Sequence, residues 1–171
     1  ILSDFADTHL REAPEDEAIL ERARDGVEAL NLRFGEGHAD RFFLFHRDRQ
    51  WNVLEHAWIG WERKRGKIEE FNRLLRGATD TSFSTQVGKL DVLPSVRYCI
   101  TLDSDTRLPR DAAARLIGII AHPLNRPHFD PRKQRVTDGY GILQPRVSVT
   151  MASAAGSFFA RTHAGDTGVD P

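Results

Sequence analysis

Hydrophobic and polar residues alternate along the chain with two different periods. Apolar residues recur every three or four positions in the stretches 15–30, 60–77 and 108–123, and this spacing predicts three helices. Short apolar runs of strand length lie at 41–47, 96–102 and 139–149. The opening residues, "ILSDF", are typical of the end of a further strand. Helices and strands therefore follow one another along the chain.

This alternation predicts an α/β fold with a mostly parallel sheet that helices cover on both faces. Pro145 lies inside the last apolar run, which indicates an edge, a bulge or a ligand-lined end of that strand. In such sheets ligands bind beyond the carboxyl ends of the strands. Polar residues that directly follow a predicted strand are therefore candidate site residues.

Asp103 and Asp105 directly follow the predicted strand 96–102. In extended backbone, residues two apart point to the same side, so the two carboxylates can converge. Two close anions need a cation or a proton between them, and Mg²⁺ binds one or two carboxylates together with substrate phosphates. The pattern predicts a divalent-cation site for a diphosphate, and the alternative is an acidic turn before the next helix.

A second enzyme class uses a similar signature. Haloacid-dehalogenase phosphatases carry D-x-D-x-T/V after a strand, with the first aspartate as the nucleophile. In this chain Arg107 stands where that pattern has Thr or Val. A Mg²⁺-dependent phosphatase or phosphotransferase that uses Asp103 is therefore the weaker alternative.

Two further motifs contain candidate binding residues. Gly66, Lys67 and Asn72 follow the spacing G-K-x-x-x-x-N, and a lysine near a helix start can reach a nucleotide's phosphates. The alternative is a solvated basic helix face. Gln144 and Arg146 lie in "LQPRV", which is equally consistent with an ordinary edge strand.

Trp51, Trp58 and Trp61 fall within eleven residues. Indole rings stack on sugar rings as well as in protein cores. We interpret the three residues as packing residues, and a non-catalytic carbohydrate-binding module is the alternative. The seven histidines show no metal-ligand spacing, so we interpret them as surface residues or satisfied core residues.

Composition narrows the class of protein. The chain has 171 residues, 29% of them charged, and a net charge of −1, which argues against a dedicated nucleic-acid-binding protein. Its single cysteine, Cys99, excludes a disulfide within the chain. No apolar run approaches the roughly 18 residues that a membrane-spanning helix needs.

The order of the motifs "LSDF", "RGKIEEFN", "TLDSDTRLP" and "GYGILQPRVSV" resembles that of GT-A glycosyltransferases in the cellulose-synthase-like superfamily. The longer phrases "RFFLFHRDRQWN", "GWERKRGKIEEFNRLLRGATDTSF" and "ITLDSDTRLPRDAAARLIGIIAHPLNRPHFD" look like the glycosyltransferase domain of cyclic β-1,2-glucan synthases. This resemblance covers nearly the whole chain.

The resemblance implies a GT-A-like three-layer sandwich with a mostly parallel sheet, truncated at both ends. It implies an inverting bacterial enzyme that transfers glucose from UDP-glucose to a growing β-1,2-glucan chain, with Mg²⁺ or Mn²⁺ as cofactor. The catalytic domain would lie at the cytoplasmic face of the inner membrane, and segments outside this chain would contact the membrane.

The resemblance also assigns roles to individual residues. Asp4 would contact the uridine, and Lys67 and Asn72 would lie beside the nucleotide. Asp103 and Asp105 would hold the divalent cation and the donor, as the catalytic pair. Gln144 and Arg146 would flank the acceptor side.

The same resemblance leads us to expect that residues 1–171 are part of a glycosyltransferase domain within a larger protein. The superfamily's first strand would precede Ile1, and its catalytic base and Q-x-x-R-W motif would follow Pro171. We therefore expect the piece alone to be inactive.

Overall fold

The computed structural model describes residues 1–35, 40–145 and 154–163, which fall into two compact units divided after Arg97. The first unit contains β1 (Leu2–Asp4), α1 (Asp16–Phe34), β2 (Leu44–Arg47), β3 (Gln50–Asn52), β4 (Ala57–Ile59), α2 (Arg63–Leu75), β5 (Phe83–Val87) and a 3₁₀ helix (Leu90–Ser95). The second contains α3 (Ala112–Ala121), a 3₁₀ turn (Pro123–Asn125), β6 (His128–Asp130), β7 (Arg135–Asp138) and α4 (Phe158–His163).

The main sheet of the first unit has the strand order β1-β2-β5. β1 and β2 are parallel and are connected through α1, whereas β2 and β5 are antiparallel. The predicted α/β class is thus confirmed as a mixed α/β structure with small mixed sheets. The mostly parallel sheet of a GT-A three-layer sandwich is not confirmed, because one of these two strand pairs is antiparallel.

All four residues of β2 are buried. Phe45 is the centre of the core. The centroid of its ring lies 5.2 Å from the ring centroid of Phe71 in α2 and 5.6 Å from that of Phe83 in β5. Because side chains alternate along a strand, Leu44 and His46 point to the opposite face, and α1 contacts β2 and β5. A short strand buried along its whole length fixes the positions of the residues at its end.

The three predicted helices are confirmed. α1 ends at Phe34 with Gly35 as its C-cap, as a glycine at this position predicts. α3 begins at Ala112, three residues after Pro109. Val27, one of the periodic apolar residues of α1, is buried. Among the described residues, no helix is both long and apolar enough to cross a bilayer.

The prediction of a strand at 96–102 is wrong, since these residues form no strand and are exposed. An apolar run becomes a strand only where a neighbouring strand supplies hydrogen-bond partners, and no described strand pairs with this one. The run at 139–149 forms no strand over 139–145, and residues 146–149 lie outside the described residues. The strand predicted at 41–47 is shortened to β2.

Two hairpins, β3–β4 and β6–β7, were not predicted from the periodicity because their strands have only three or four residues. In the first hairpin Asn52 Oδ1 accepts hydrogen bonds from the backbone nitrogens of Leu54 and Glu55, at 2.9 and 3.1 Å. In the second, Asp130 Oδ1 accepts from the backbone nitrogens of Arg132 and Lys133. Such short side-chain-to-backbone turns are the signal in the sequence for both hairpins.

His46 in β2 is 3% exposed, and its ring Nδ1 lies 3.0 Å from Ser3 Oγ. Its Nε2 has no hydrogen-bond partner in the described part of the chain, so the interpretation of the histidines as surface or satisfied core residues is only half correct for His46. Burial lowers the pKa of His46 below its ordinary value. Lys67 lowers it further, while the carboxylates of Asp48, Asp4 and Asp16 act in the opposite direction.

This burial predicts a loss of stability in mild acid. The unfolded chain takes up a proton at His46 near pH 6.5 and the folded chain does so only at lower pH, so the free energy of unfolding falls as pH decreases below about 6.5. Urea unfolding between pH 5 and 8 measures this slope. We expect His46→Phe to reduce it and His128→Phe, at an exposed position, to leave it unchanged; equal slopes in all three proteins would contradict the prediction.

Candidate functional site

Asp4 and Arg47 are register partners at the carboxyl ends of the parallel strands β1 and β2. This is the edge of an α/β sheet at which ligands bind. Residues from β1, β2 and α2 meet there, and we call Asp4, Arg47, Lys67 and Glu70 the Arg47 cluster.

Arg47 is 0% exposed, yet each nitrogen of its guanidinium donates a hydrogen bond. Its Nε and Nη2 donate to the two carboxylate oxygens of Asp4, at 2.8 and 3.2 Å, and its Nη1 donates to Glu70 Oε2 at 2.7 Å. Nη2 also donates to the backbone carbonyls of Trp61 and Arg63, at 3.0 and 3.1 Å. One buried side chain therefore joins two strands, the start of α2 and the segment before it.

The charges of the cluster depend on one another. Burial would lower the pKa of Arg47, but the hydrogen bonds to Asp4 and Glu70 outweigh it and raise that pKa above its ordinary value. Burial would likewise raise the pKa of Glu70, but hydrogen bonds from Arg47 and from Ser82 Oγ and N keep it lowered. Both groups are therefore ionised at neutral pH.

Lys67 lies closest to solvent in the cluster. Its Nζ is 3.0 Å from Asp4 Oδ2, and its side chain is 19% exposed. Lys67, Glu70 and Phe71 lie at i, i+3 and i+4 and so share one face of α2. Phe71 packs on the core, which presses this face against the end of the sheet.

Gly60 lets the backbone approach the Asp4 carboxylate closely. A Cβ at this position would lie 2.7 Å from Asp4 Cγ and 2.9 Å from Oδ2, so a larger residue would displace the carboxylate. Together with the fork of Arg47, this contact fixes the orientation of Asp4.

A second buried arginine holds the segment that follows β1. Arg49 Nη2 donates to Asp16 Oδ1 at 3.0 Å, Nη1 donates to Asp16 Oδ2, and Nε donates to the carbonyl of Ala6 at 2.7 Å. Its guanidinium also lies 4.9 Å from the centroid of the Phe5 ring. The hydrogen bond from Arg49 lowers the pKa of Asp16 although burial acts to raise it. Residues 5–16 are thereby tied to the sheet.

The structure brings together two of the predicted site residues, Asp4 and Lys67. Asn72 is exposed on α2. It is five positions after Lys67, which places it about 140° around the helix at 3.6 residues per turn. Lys67 and Asn72 therefore lie on different faces of α2.

Asp103 and Asp105 belong to the second unit, where both are exposed. They lie in a turn in which the Thr106 backbone nitrogen donates to the Asp103 carbonyl at 3.1 Å, and not at the end of a strand as predicted. Within the described ranges, no group of three or more histidine, cysteine or acidic side chains could hold a metal ion. Two exposed carboxylates one residue apart still fit the oxygen ligands of Mg²⁺ when phosphates supply the others.

The remaining predictions concern residues beyond this edge. Gln144 is exposed in the second unit, and Arg146 lies outside the described residues. Trp51 and Trp61 are 47% and 39% exposed, so neither is a core residue. Trp58 is partly buried.

Arg47, Arg49 and Glu70 were not predicted as site residues. The sequence does contain a signal for the arginines, since "HRDR" places two of them directly after an apolar strand. A buried arginine needs carboxylate partners, and such partners are distant in sequence here. Asp4, Asp16 and Glu70 supply them.

No family model matches the chain. The chain is 49% identical, over 173 aligned residues that cover all of it, to the cyclic β-(1,2)-glucan synthase NdvB of Rhizobium meliloti (strain 1021). It spans about 6% of the length of that protein. The identity relates the chain to one segment of the synthase.

Replacing Arg47 should destabilise the first unit strongly. In Arg47→Met, Glu70 stays buried without its cation and Asp4 keeps only Lys67. We therefore expect a loss of about 3–5 kcal/mol in the free energy of unfolding. Arg73→Met, which breaks an exposed pair with Asp80, should cost less than about 1 kcal/mol. Urea unfolding of both variants measures the difference, and equal losses would contradict the central position of Arg47.

Proposed function

We propose that this chain is part of an inverting glucosyltransferase that uses UDP-glucose to extend a β-1,2-glucan, with the Arg47 cluster in its donor site. The observation that carries the proposal is the pairing of Asp4 and Arg47 at the carboxyl ends of two parallel strands, with Lys67 beside them. The identity to a segment of a glucan synthase supports glucan synthesis. The cytoplasmic face of a bacterial inner membrane is the location that the resemblance implies.

Lys67 is the residue that we assign to the donor's diphosphate. An ammonium group binds phosphate as a point charge, and this one is partly exposed. If Lys67 turns from Asp4 to a phosphate oxygen, Asp4 keeps both hydrogen bonds from Arg47. The lysine can therefore exchange partners without leaving a buried carboxylate unpaired.

Asp4 is the residue that we assign to the uridine. Its carboxylate is held in one orientation by Arg47 and Gly60, and it remains slightly accessible to solvent. A carboxylate oxygen can accept a hydrogen bond from a base N–H or a ribose hydroxyl. A carboxylate that is fixed before the ligand arrives loses little entropy on binding.

Asp103 and Asp105 would hold Mg²⁺ or Mn²⁺, as the two oxygen ligands that the protein supplies. When bound, the cation would neutralise charge that develops on the leaving diphosphate. In the transfer, an acceptor hydroxyl gives its proton to a general base and its oxygen bonds to the anomeric carbon, while the bond from that carbon to the diphosphate oxygen breaks and UDP leaves as an anion. Asn72 beside the nucleotide, and Gln144 and Arg146 at the acceptor, remain predictions, and we assign no catalytic base.

Calorimetric titration with UDP-glucose and Mg²⁺ tests the proposal on the 171-residue chain. We expect weak but measurable binding of UDP-glucose. The affinity should be at least tenfold lower in Lys67→Met, because the diphosphate loses a positively charged partner. Asp105→Asn should abolish binding, as should removal of Mg²⁺ with a chelator. Lys64→Met is the matched control, since Lys64 is exposed on the same helix, and its affinity should be unchanged.

Circular dichroism spectra that match the unsubstituted chain must accompany each affinity. Absence of UDP-glucose binding at millimolar concentrations would contradict the proposal. Equal affinities in Lys67→Met and Lys64→Met would remove Lys67 from the donor site, and metal-independent binding would remove the aspartate pair.

A further inference from the structure

A groove separate from the Arg47 cluster lies between the β3–β4 hairpin and the start of α2. Its volume is about 320 Å³, at the lower end of the roughly 300–1,000 Å³ that small-molecule sites occupy. Both indole and polar side chains line it, and we call it the Trp51 groove. The lining residues are Gln50, Trp51, Asn52, Val53, Glu55, Ile59, Trp61, Glu62 and Arg63.

The two exposed indoles of the groove are held rigidly from behind. The Trp51 ring rests on that of Trp58 with centroids 5.7 Å apart, and the Arg11 guanidinium lies 5.7 Å from the Trp58 centroid. Trp61 packs so closely on Gly66 that a Cβ there would lie 2.7 Å from Trp61 Cε3. Large aromatic rings fixed at the surface provide contact area with little loss of side-chain entropy on binding.

The polar lining suits neutral hydroxyl groups better than phosphate. Gln50 and Asn52 supply amide groups, and Glu55, Glu62 and Arg63 supply two negative charges and one positive charge. Arg63 is already paired with Glu55 and, at 2.9 Å, with Asp7. An anionic ligand would therefore meet a net negative charge and no unengaged cation from this lining.

The backbone beside the groove is strained in a defined way. Glu62 and Arg63 have positive φ values of 50° and 45°, a left-handed conformation that is unfavourable for residues other than glycine. Arg47 holds this segment through the carbonyls of Trp61 and Arg63. Backbone strain that the surrounding contacts maintain is typical of ligand sites.

From these observations we infer that the Trp51 groove binds pyranose rings of a β-linked glucan. A pyranose presents C–H groups on its faces, which suit the negative faces of indoles, and hydroxyl groups at its edge, which suit amides and carboxylates. The pyranose class follows from the groove itself, and its identity as the synthase's own β-glucan rests on the proposed function. Because Arg47 contacts both Asp4 and the Trp61 carbonyl, a glucan in the groove lies next to the proposed donor site.

Calorimetric titration of the 171-residue chain with a β-1,2-linked gluco-oligosaccharide tests the inference. We expect saturable binding that is at least tenfold weaker in Trp51→Ala. It should be several-fold weaker in Gln50→Ala, which removes an amide group and leaves both indoles in place. Leu54→Ala is the control, because Leu54 is exposed on the same hairpin but does not line the groove. Uridine should not displace the oligosaccharide.

Each outcome bears on the inference. The inference is overturned if the oligosaccharide shows no saturable binding, or if Trp51→Ala, Gln50→Ala and Leu54→Ala have equal affinities. Displacement by uridine would also overturn it, because the groove would then be a nucleoside site. The donor titration separates this inference from the proposed function. Oligosaccharide binding in a chain that does not bind UDP-glucose would support the groove and reject the donor site, and the reverse would reject the groove alone.

Discussion

The pairing of buried Arg47 with Asp4 and Glu70 is the interaction on which the first unit depends. Removing a cation from water costs several kcal/mol, which only close carboxylates and complete hydrogen bonding can offset. Here the guanidinium donates to two carboxylates and two backbone carbonyls, from elements that are distant in sequence. The positions of β1, α2 and the segment before α2 are thus determined together, because each supplies a partner that Arg47 cannot lose.

The same interaction gives the edge of the sheet its chemical character. The Arg47 cluster contains two cations and two carboxylates, so it is neutral as a whole, and Lys67 is its most accessible charge. On its other side Arg47 holds the backbone of Trp61 and Arg63, which line the Trp51 groove. A charged site and an indole-lined groove are thereby fixed relative to each other by one side chain.

The helices and the α/β class could be predicted because periodic apolar residues determine a helix locally. The strand predicted at 96–102 does not form, because an apolar run is a local pattern whereas a strand also needs a partner strand. Asp4 and Lys67 were selected by their motifs, and the structure pairs them. Arg47 and Glu70 were not selected, because each resembles an ordinary surface charge until the burial of its neighbours is known. The exposure of Trp51 could not be predicted either, because exposure is a tertiary property.

A nuclear magnetic resonance titration with UDP-glucose and Mg²⁺ tests most directly whether the Arg47 cluster binds the donor. The Nε–H group of Arg47 donates to the Asp4 carboxylate, and Gly60 packs against that carboxylate. The Arg47 Nε–H and the Gly60 amide each give a separate signal. Donor binding at the cluster predicts that both signals shift along one saturable curve. Saturable binding that leaves both signals unmoved while signals elsewhere shift would contradict it.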